Sequence, residues 1–235
     1  STYTNLDQSY TSPAFNTVLL DPVAGPPGVD SFNLIHPYLG NGTNYIFQQK
    51  SVSTTGSMGE TDISLGGNYN NKVYIGASFG IPSIRYTEND VYSETPMYND
   101  TAFGLQGYTL NSTVATTGEG FNFKIGMIYK INDMVRIGFA VHTPTIFSLT
   151  DDYYNSITAT YGPSPYSGPV GGTTPPYDSP DGNYSYTLVT PMKLMGGLAF
   201  VINHQGIISA DYEYVDYSTA SFSASDYSFS DVNRA

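Results

Sequence analysis

Three times along this 235-residue chain, an alternation of apolar and polar residues runs for the length of a strand, meets a short turn, and resumes. A period of two sends successive side chains to opposite faces of an extended backbone, so each run reads as a β-strand and each pair as a hairpin. In 61–69 (TDISLGGNY), Ile63, Leu65 and Tyr69 share one face, and Asp62, Ser64 and Asn68 the other. Asn70-Asn71 makes the turn, because Asn tolerates the positive φ that tight hairpins demand. The return run 72–81 sets Val73, Ile75, Ala77, Phe79 and Ile81 against Lys72, Tyr74, Gly76, Ser78 and Gly80.

The second unit is stronger. Over 119–131, Phe121, Phe123, Ile125, Met127, Tyr129 and Ile131 alternate with Gly120, Asn122, Lys124, Gly126, Ile128 and Lys130. Asn132-Asp133 turns the chain, and 134–142 opposes Val135, Ile137, Phe139 and Val141 to Arg136, Gly138, Ala140 and His142. A third unit runs from about 185 to 202, turns at Asn203-His204-Gln205-Gly206 and returns through 207–217. Leu194, Leu198, Phe200, Ile202, Ile208, Ala210, Tyr212 and Tyr214 form its apolar faces, with Lys193, Asp211 and Glu213 opposite.

Such a pattern fits two solvents. A soluble sandwich turns the apolar phase inward; a membrane barrel turns it outward to lipid and keeps small or polar residues for a lumen. Three features favour the barrel. The polar phase is rich in Gly and Ser rather than Lys and Glu. Tyr69, Phe121, Tyr129, Tyr212 and Tyr214 stand near the ends of the apolar phase, as in an interfacial girdle. The turns are tight, whereas the links between units read as long loops on one side only. Every Lys and Arg of the six runs lies in the polar phase, as a cost of roughly 2–4 kcal/mol per Arg or Lys at mid-membrane requires, and the acidic residues of the apolar phase, Glu119 and Asp216, stand only at run ends. Only 12% of the residues are charged, about half the share usual in soluble domains.

Other classes recede on composition. The net charge is −12 with eight Lys plus Arg, which disfavours nucleic acid as a partner. There is no Cys, hence no disulfide or thiolate site. No apolar run approaches the roughly 20 residues of a membrane helix, and no segment shows a helical period. Residues 1–60 read as mostly exterior loop or irregular chain, 87–118 as loop and an extended approach, 150–183 as a Pro- and Gly-rich exterior loop, and 218–235 as a further exterior loop. Pro82, Pro144 and Pro191 are expected near outer strand ends, where a missing donor costs least. Six strands fall short of the eight in the smallest barrels, and Ala235 is not the aromatic residue on which such barrels commonly close. Further strands are therefore expected on the C-terminal side and on the N-terminal side.

The segments FNFKIGMIYKINDMVRIGFAVHTPTIFSLTDDY (121–153), TPMKLMGGLAFVINHQGIISADYEYVDYS (190–218) and ISLGGNYNNKVYIGASFGIPSIRY (63–86) resemble the outer-membrane transport proteins of the long-chain fatty acid and aromatic hydrocarbon transporter family, in the form found in Bacteroidetes-type bacteria. The resemblance covers roughly 60–218. It implies an all-β fold, a transmembrane antiparallel β-barrel of fourteen strands of which this chain covers a part, plugged by an N-terminal hatch. It implies passive passage of hydrophobic molecules across the outer membrane without a cofactor. The partners implied are membrane lipid, lipopolysaccharide and a hydrophobic small-molecule substrate. The Asn-Pro-Ala hatch segment of that family is missing, and Ser12-Pro13-Ala14-Phe15 is only superficially like it, so no hatch contact is assigned to any residue.

Candidate site residues are the inward-facing cations Lys124, Arg136 and Lys193, with His142 at the lumen or rim. They are placed to attract a substrate carboxylate or to join Asp62, Asp211 and Glu213 in a structural network, the reading favoured here. His36, His142 and His204 lie too far apart to suggest a metal site, and none is expected. Asp151, Asp152, Asp178 and Asp181 read as solvated loop charge before a Ca²⁺ site. Asp211 and Glu213 lack the nucleophile or base that catalysis needs, and no enzyme is expected. Gly66-Gly67 and Gly196-Gly197 precede no helix and are not phosphate loops. Two rivals stand beside the transporter: the same barrel as a scaffold in secretion or surface assembly, with a protein partner at its exterior loops, and a soluble adhesin or sandwich.

Overall fold

The computed structural model describes residues 10–17, 19–23, 31–34, 46–96, 105–162, 172–202 and 206–234. In chain order these form α1 (Thr11–Asn16), β1 (Leu20–Val23), β2 (Ser31–Leu34), β3 (Ile46–Tyr69), β4 (Val73–Pro96), β5 (Leu105–Lys130), β6 (Val135–His142), β7 (Ile146–Tyr161), β8 (Gly172–Thr173), β9 (Tyr177–Asp178), β10 (Gly182–Val189), β11 (Lys193–Ile202), β12 (Gly206–Val215) and β13 (Ser221–Ser223). A 3-10 turn at Tyr217–Thr219 precedes β13. β1 and β2 make a small antiparallel sheet of their own. The other eleven strands form one all-β sheet, antiparallel where register is defined.

β3 pairs with β4, β4 with β5, β5 with both β6 and β7, β6 with β11, β7 with β10, β11 with β12, and β10 with β13. β6 and β7 are thus one strand path interrupted at 143–145, and β10 and β11 another interrupted at 190–192. Pro144 and Pro191 stand in these breaks, where a residue without an N–H costs the ladder least. Among the described residues β3 and β12 have a single neighbour each, so the sheet is not closed.

The hairpins follow the sequence closely at their turns. Asn70 and Asn71 carry φ of 48° and 53°, the left-handed region that Asn enters more easily than branched residues. At the second turn the Asn132 side chain accepts the backbone N–H groups of Met134 and Val135, at 2.9 and 2.8 Å. The third turn, 203–205, lies outside the described residues.

The strands run further than their alternation. β3 begins at Ile46 rather than near 61, β4 continues through a buried Pro82 to Pro96, and β5 begins at Leu105. The segment 87–118 is therefore largely strand, and so is the part of 150–183 that belongs to β7 to β10. Periodicity detects a strand only where its two faces meet different surroundings. Residues 46–60 are polar in both phases, and backbone pairing leaves no trace in such a sequence. In 218–235, β13 pairs with β10, and the Asn233 amide closes a two-bond ring on the Phe222 backbone at 2.8 Å in each direction.

Two compact units emerge: Gly56–Tyr86 with Thr116–Asp151 and Tyr184–Ala235, and Ser1–Thr55 with Thr87–Ala115 and Asp152–Asn183. In the second of these, Leu19, Ile157, Ala159 and Tyr161 form a small core, with Ala14, Tyr108 and Leu110 packed against it. Pro13 and Thr17 of the α1 segment are fully buried. The Tyr161 hydroxyl donates to the Thr17 carbonyl, and burial pushes its pKa up to about 12. In the first unit Phe147 and Leu149 are buried. They lie over Gly118 and Gly120, where added Cβ atoms would come within 2.6 Å of Leu149 and 2.7 Å of Phe147.

Candidate functional site

Six strands of the first unit (β3, β4, β5, β6, β11 and β12) line one cavity of about 1020 Å³. Both phases border it: Ser64, Asn68, Ser78, Lys124, His142, Asp211 and Glu213 from the polar phase, with Gly and Ala between them, and Leu65, Ile75, Ile125, Met127, Phe139 and Tyr212 from the apolar phase. Small residues in the polar phase hold the cavity open, since every added side chain would project into it. Gly197 is one case where space decides: a Cβ there would lie 2.4 Å from Asp211 Oδ1.

The apolar phase is exposed. Ile63, Leu65, Ile75, Phe79, Phe123, Ile125, Phe139, Phe200, Ile208 and Tyr212 all leave much of their surface uncovered, Leu65 with 81% of it bare. Among the described residues six apolar side chains are buried and thirty-seven large ones are exposed. Leaving one Leu, Ile or Phe in water instead of burying it forgoes about 1.5–3 kcal/mol, so an aqueous fold with this ratio gives up most of its driving force. Among the described residues no second layer covers these side chains.

Across the cavity face, Lys124 stands in register with His142, and His142 with Lys193. Three of the four candidate residues, two lysines and a histidine, therefore share one transverse row. Arg136 does not belong to it. It pairs with Lys130 and Ala199 near the turn end of β6.

Carboxylates meet the row on both flanks. Lys124 Nζ is 2.6 Å from Glu60 Oε2 and 3.0 Å from Asp62 Oδ1, and the Ser78 hydroxyl donates to Asp62 at 3.0 Å. Lys193 approaches Glu213 at 3.8 Å. The structural network with Asp62 and Glu213 is thus present, with Glu60 as a member that the sequence reading left in a loop. Glu60 precedes Asp62 by two residues and so shares its face; an earlier start for the strand would have revealed it.

No protein-family model and no curated protein matches this chain. The site is therefore interpreted from its geometry. No group of three or more His, Cys, Asp or Glu converges among the described residues, and His36 and His204 lie outside them. Asp151 and Asp152 belong to β7 rather than to a loop. Asp151 accepts the hydroxyls of Thr116 at 2.6 Å and Tyr186 at 3.3 Å, while Asp152 accepts the Asn183 amide. Asp178 pairs in register with Ser156. Ser12-Pro13-Ala14-Phe15 lies within α1. A cluster unforeseen from sequence gathers Tyr186, Phe222, Tyr227 and Phe229, with ring centroids 4.9–6.2 Å apart.

Proposed function

We propose that this sheet is part of the wall of an outer-membrane β-barrel that passes hydrophobic or amphipathic small molecules, such as long-chain fatty acids, without catalysis. One observation carries the reading: the large apolar side chains along the strands are exposed, while charged side chains of the polar phase pair with one another across strands. Acyl chains are the surroundings that make such a face favourable. An open sheet edge does not survive in lipid, so β3 and β12 are expected to find strand partners that complete the wall. The cavity's mixture of Gly, Met195, Ile128 and a charged row suits a solute with an apolar body and a polar end.

Protein refolded into lipid vesicles is expected to show heat-modifiable gel mobility and to accelerate uptake of a fluorescently labelled fatty acid above protein-free vesicles. A freely soluble monomer without detergent would remove the membrane reading. Heat-modifiable protein without uptake would retain the barrel and remove the transporter, leaving the scaffold role.

A further inference from the structure

Gly80, on β4, is buried beneath three oxygen atoms from neighbouring strands. An ideal Cβ on it would lie 2.3 Å from Glu60 Oε1, 2.6 Å from Asn122 Oδ1 and 3.1 Å from Asp62 Oδ1. The oxygens thus ring one spot that only glycine leaves free. Asn122 is 7% exposed. Its Nδ2 donates to Glu60 Oε1 at 2.6 Å and Thr145 Oγ1 at 3.2 Å, yet its Oδ1 is buried with no hydrogen-bond partner. A buried acceptor left bare costs about 1–3 kcal/mol, and this one points where two carboxylates already converge.

The charge count leads to the same place. Glu60 and Asp62 carry two negative charges, and among the described residues the one cation bonded to them is Lys124. One carboxylate charge is left over beside an unpartnered carbonyl oxygen. Hard oxygens of flexible geometry, open on one side to water, are what Ca²⁺ takes, at 2.3–2.6 Å with six to eight ligands; Mg²⁺ demands a tighter octahedron.

We propose that Glu60, Asp62 and Asn122 form a Ca²⁺ site above Gly80, for which the Lys124 ammonium is a built-in competitor. Water from the cavity side completes the coordination. With two carboxylates and one amide, affinity falls in the weak class, about 10⁻⁴–10⁻³ M. The site rests on local geometry and holds whether or not the cavity carries a solute.

Calorimetric titration of CaCl₂ into the detergent-folded protein tests this, with MgCl₂ as the comparator. One Ca²⁺ per chain is expected, bound more tightly than Mg²⁺. Lys124→Met removes the competitor and Asn122→Asp adds a charge, so each is expected to raise affinity roughly tenfold or more. Gly80→Ala, placed on the Lys124→Met background, fills the cradle at the cost of moving a flexible carboxylate and is expected to reverse that gain. Two results overturn the site: no stoichiometric binding by the wild type and both gain variants, or affinity unchanged by Gly80→Ala. The gain variants keep the test decisive, because misfolding does not tighten binding.

Discussion

Phe139 and Ala140 are neighbours in β6 that stand at one depth on opposite faces, so arginine at each measures the two environments separately. Phe139 is 53% exposed and pairs with Met127; Ala140, in the opposite phase, pairs with Gly126 and Met195. Met127 lies four residues from Ile131 and six from Phe121, the ends of the apolar run. At roughly 3.3 Å per residue these are about 13 and 20 Å along the strand. With a tilt near 40° they become about 10 and 15 Å along the membrane normal, together the ~25 Å of a barrel's apolar band. In the proposed membrane setting, Phe139 would therefore sit within a few ångström of mid-membrane. Phe139→Arg is expected to cost about 2–4 kcal/mol, between one and three decades in the folding equilibrium. Ala140→Arg, entering a wet cavity, is expected to cost less than about 1 kcal/mol. Urea unfolding of vesicle-embedded protein, followed by circular dichroism and heat-modifiable mobility, reads both. A protein bathed in water on both faces would show less than about 0.5 kcal/mol for Phe139→Arg, as exposed substitutions do. That result, or a larger cost at Ala140 than at Phe139, refutes the assignment of faces.

Tyr161→Phe deprives the buried Thr17 carbonyl of its donor and is expected to loosen the α1 segment by about 1–3 kcal/mol, seen as faster amide exchange over 10–17 with little change in the hairpins. The same tyrosine predicts alkaline loosening. Its pKa is 10.0 when free and about 12 when folded, so the unfolded form alone loses the proton in that interval and stability falls as pH rises from 10 to 12; absorbance at 295 nm tracks the ionisation. At the first turn, Asn70→Val places a branched residue at φ 48° and is expected to cost about 1–2 kcal/mol in urea unfolding, whereas Asn70→Gly stays within a few tenths. At the second, Lys130 holds the Asp133 carboxyl below its ordinary 3.8; Lys130→Met is expected to return it toward 3.8 by NMR titration. That ion pair's contribution is present above pH 3.8 and disappears as pH falls through the lowered folded value.

The alternation of the strands at the cavity was legible, although both phases border the space: Leu65, Ile75, Ile125 and Phe139 do so from the apolar phase. Ser64, Ser78, Lys124, Gly126, Ala140 and Asp211 were all assigned to the polar phase, and all line the cavity. Which cations share a row was not legible. That depends on register between strands, and the pairing of Lys124 with His142 is fixed by the turn at 131–134, that of His142 with Lys193 by a contact between different hairpins. Glu60 and Asn122 were missed as partners for the same reason: they are 62 residues apart. Loops were over-assigned wherever Gly, Ser and Pro were dense, since turn-rich composition and two-sided polar strand look alike without a period. The connections remain lopsided, but the length lies in strand more than in loop.

Those polar extensions raise a question of register that burial cannot answer. A strand with water on both faces gains nothing from choosing one alignment over its neighbour, and such strands slip. In the second unit, cross-strand pairs supply the choice: Gln48 donates to Glu94 at 2.7 Å, Lys50 meets Asp90 at 2.7 Å, and Thr113 donates to Asn89 at 3.0 Å. Each is worth a few tenths of a kilocalorie to about 1 kcal/mol, too little to hold two strands together. Discrimination needs less than cohesion does. A one-residue slip moves Lys50 and Gln48 to the opposite face from Asp90 and Glu94 and loses both pairs at once, and the fixed hairpin turn penalises the same slip again. Register in these extensions is therefore set at the turn and checked by charge, whereas in the hairpins of the first unit the difference between an apolar and a polar phase adds a further constraint.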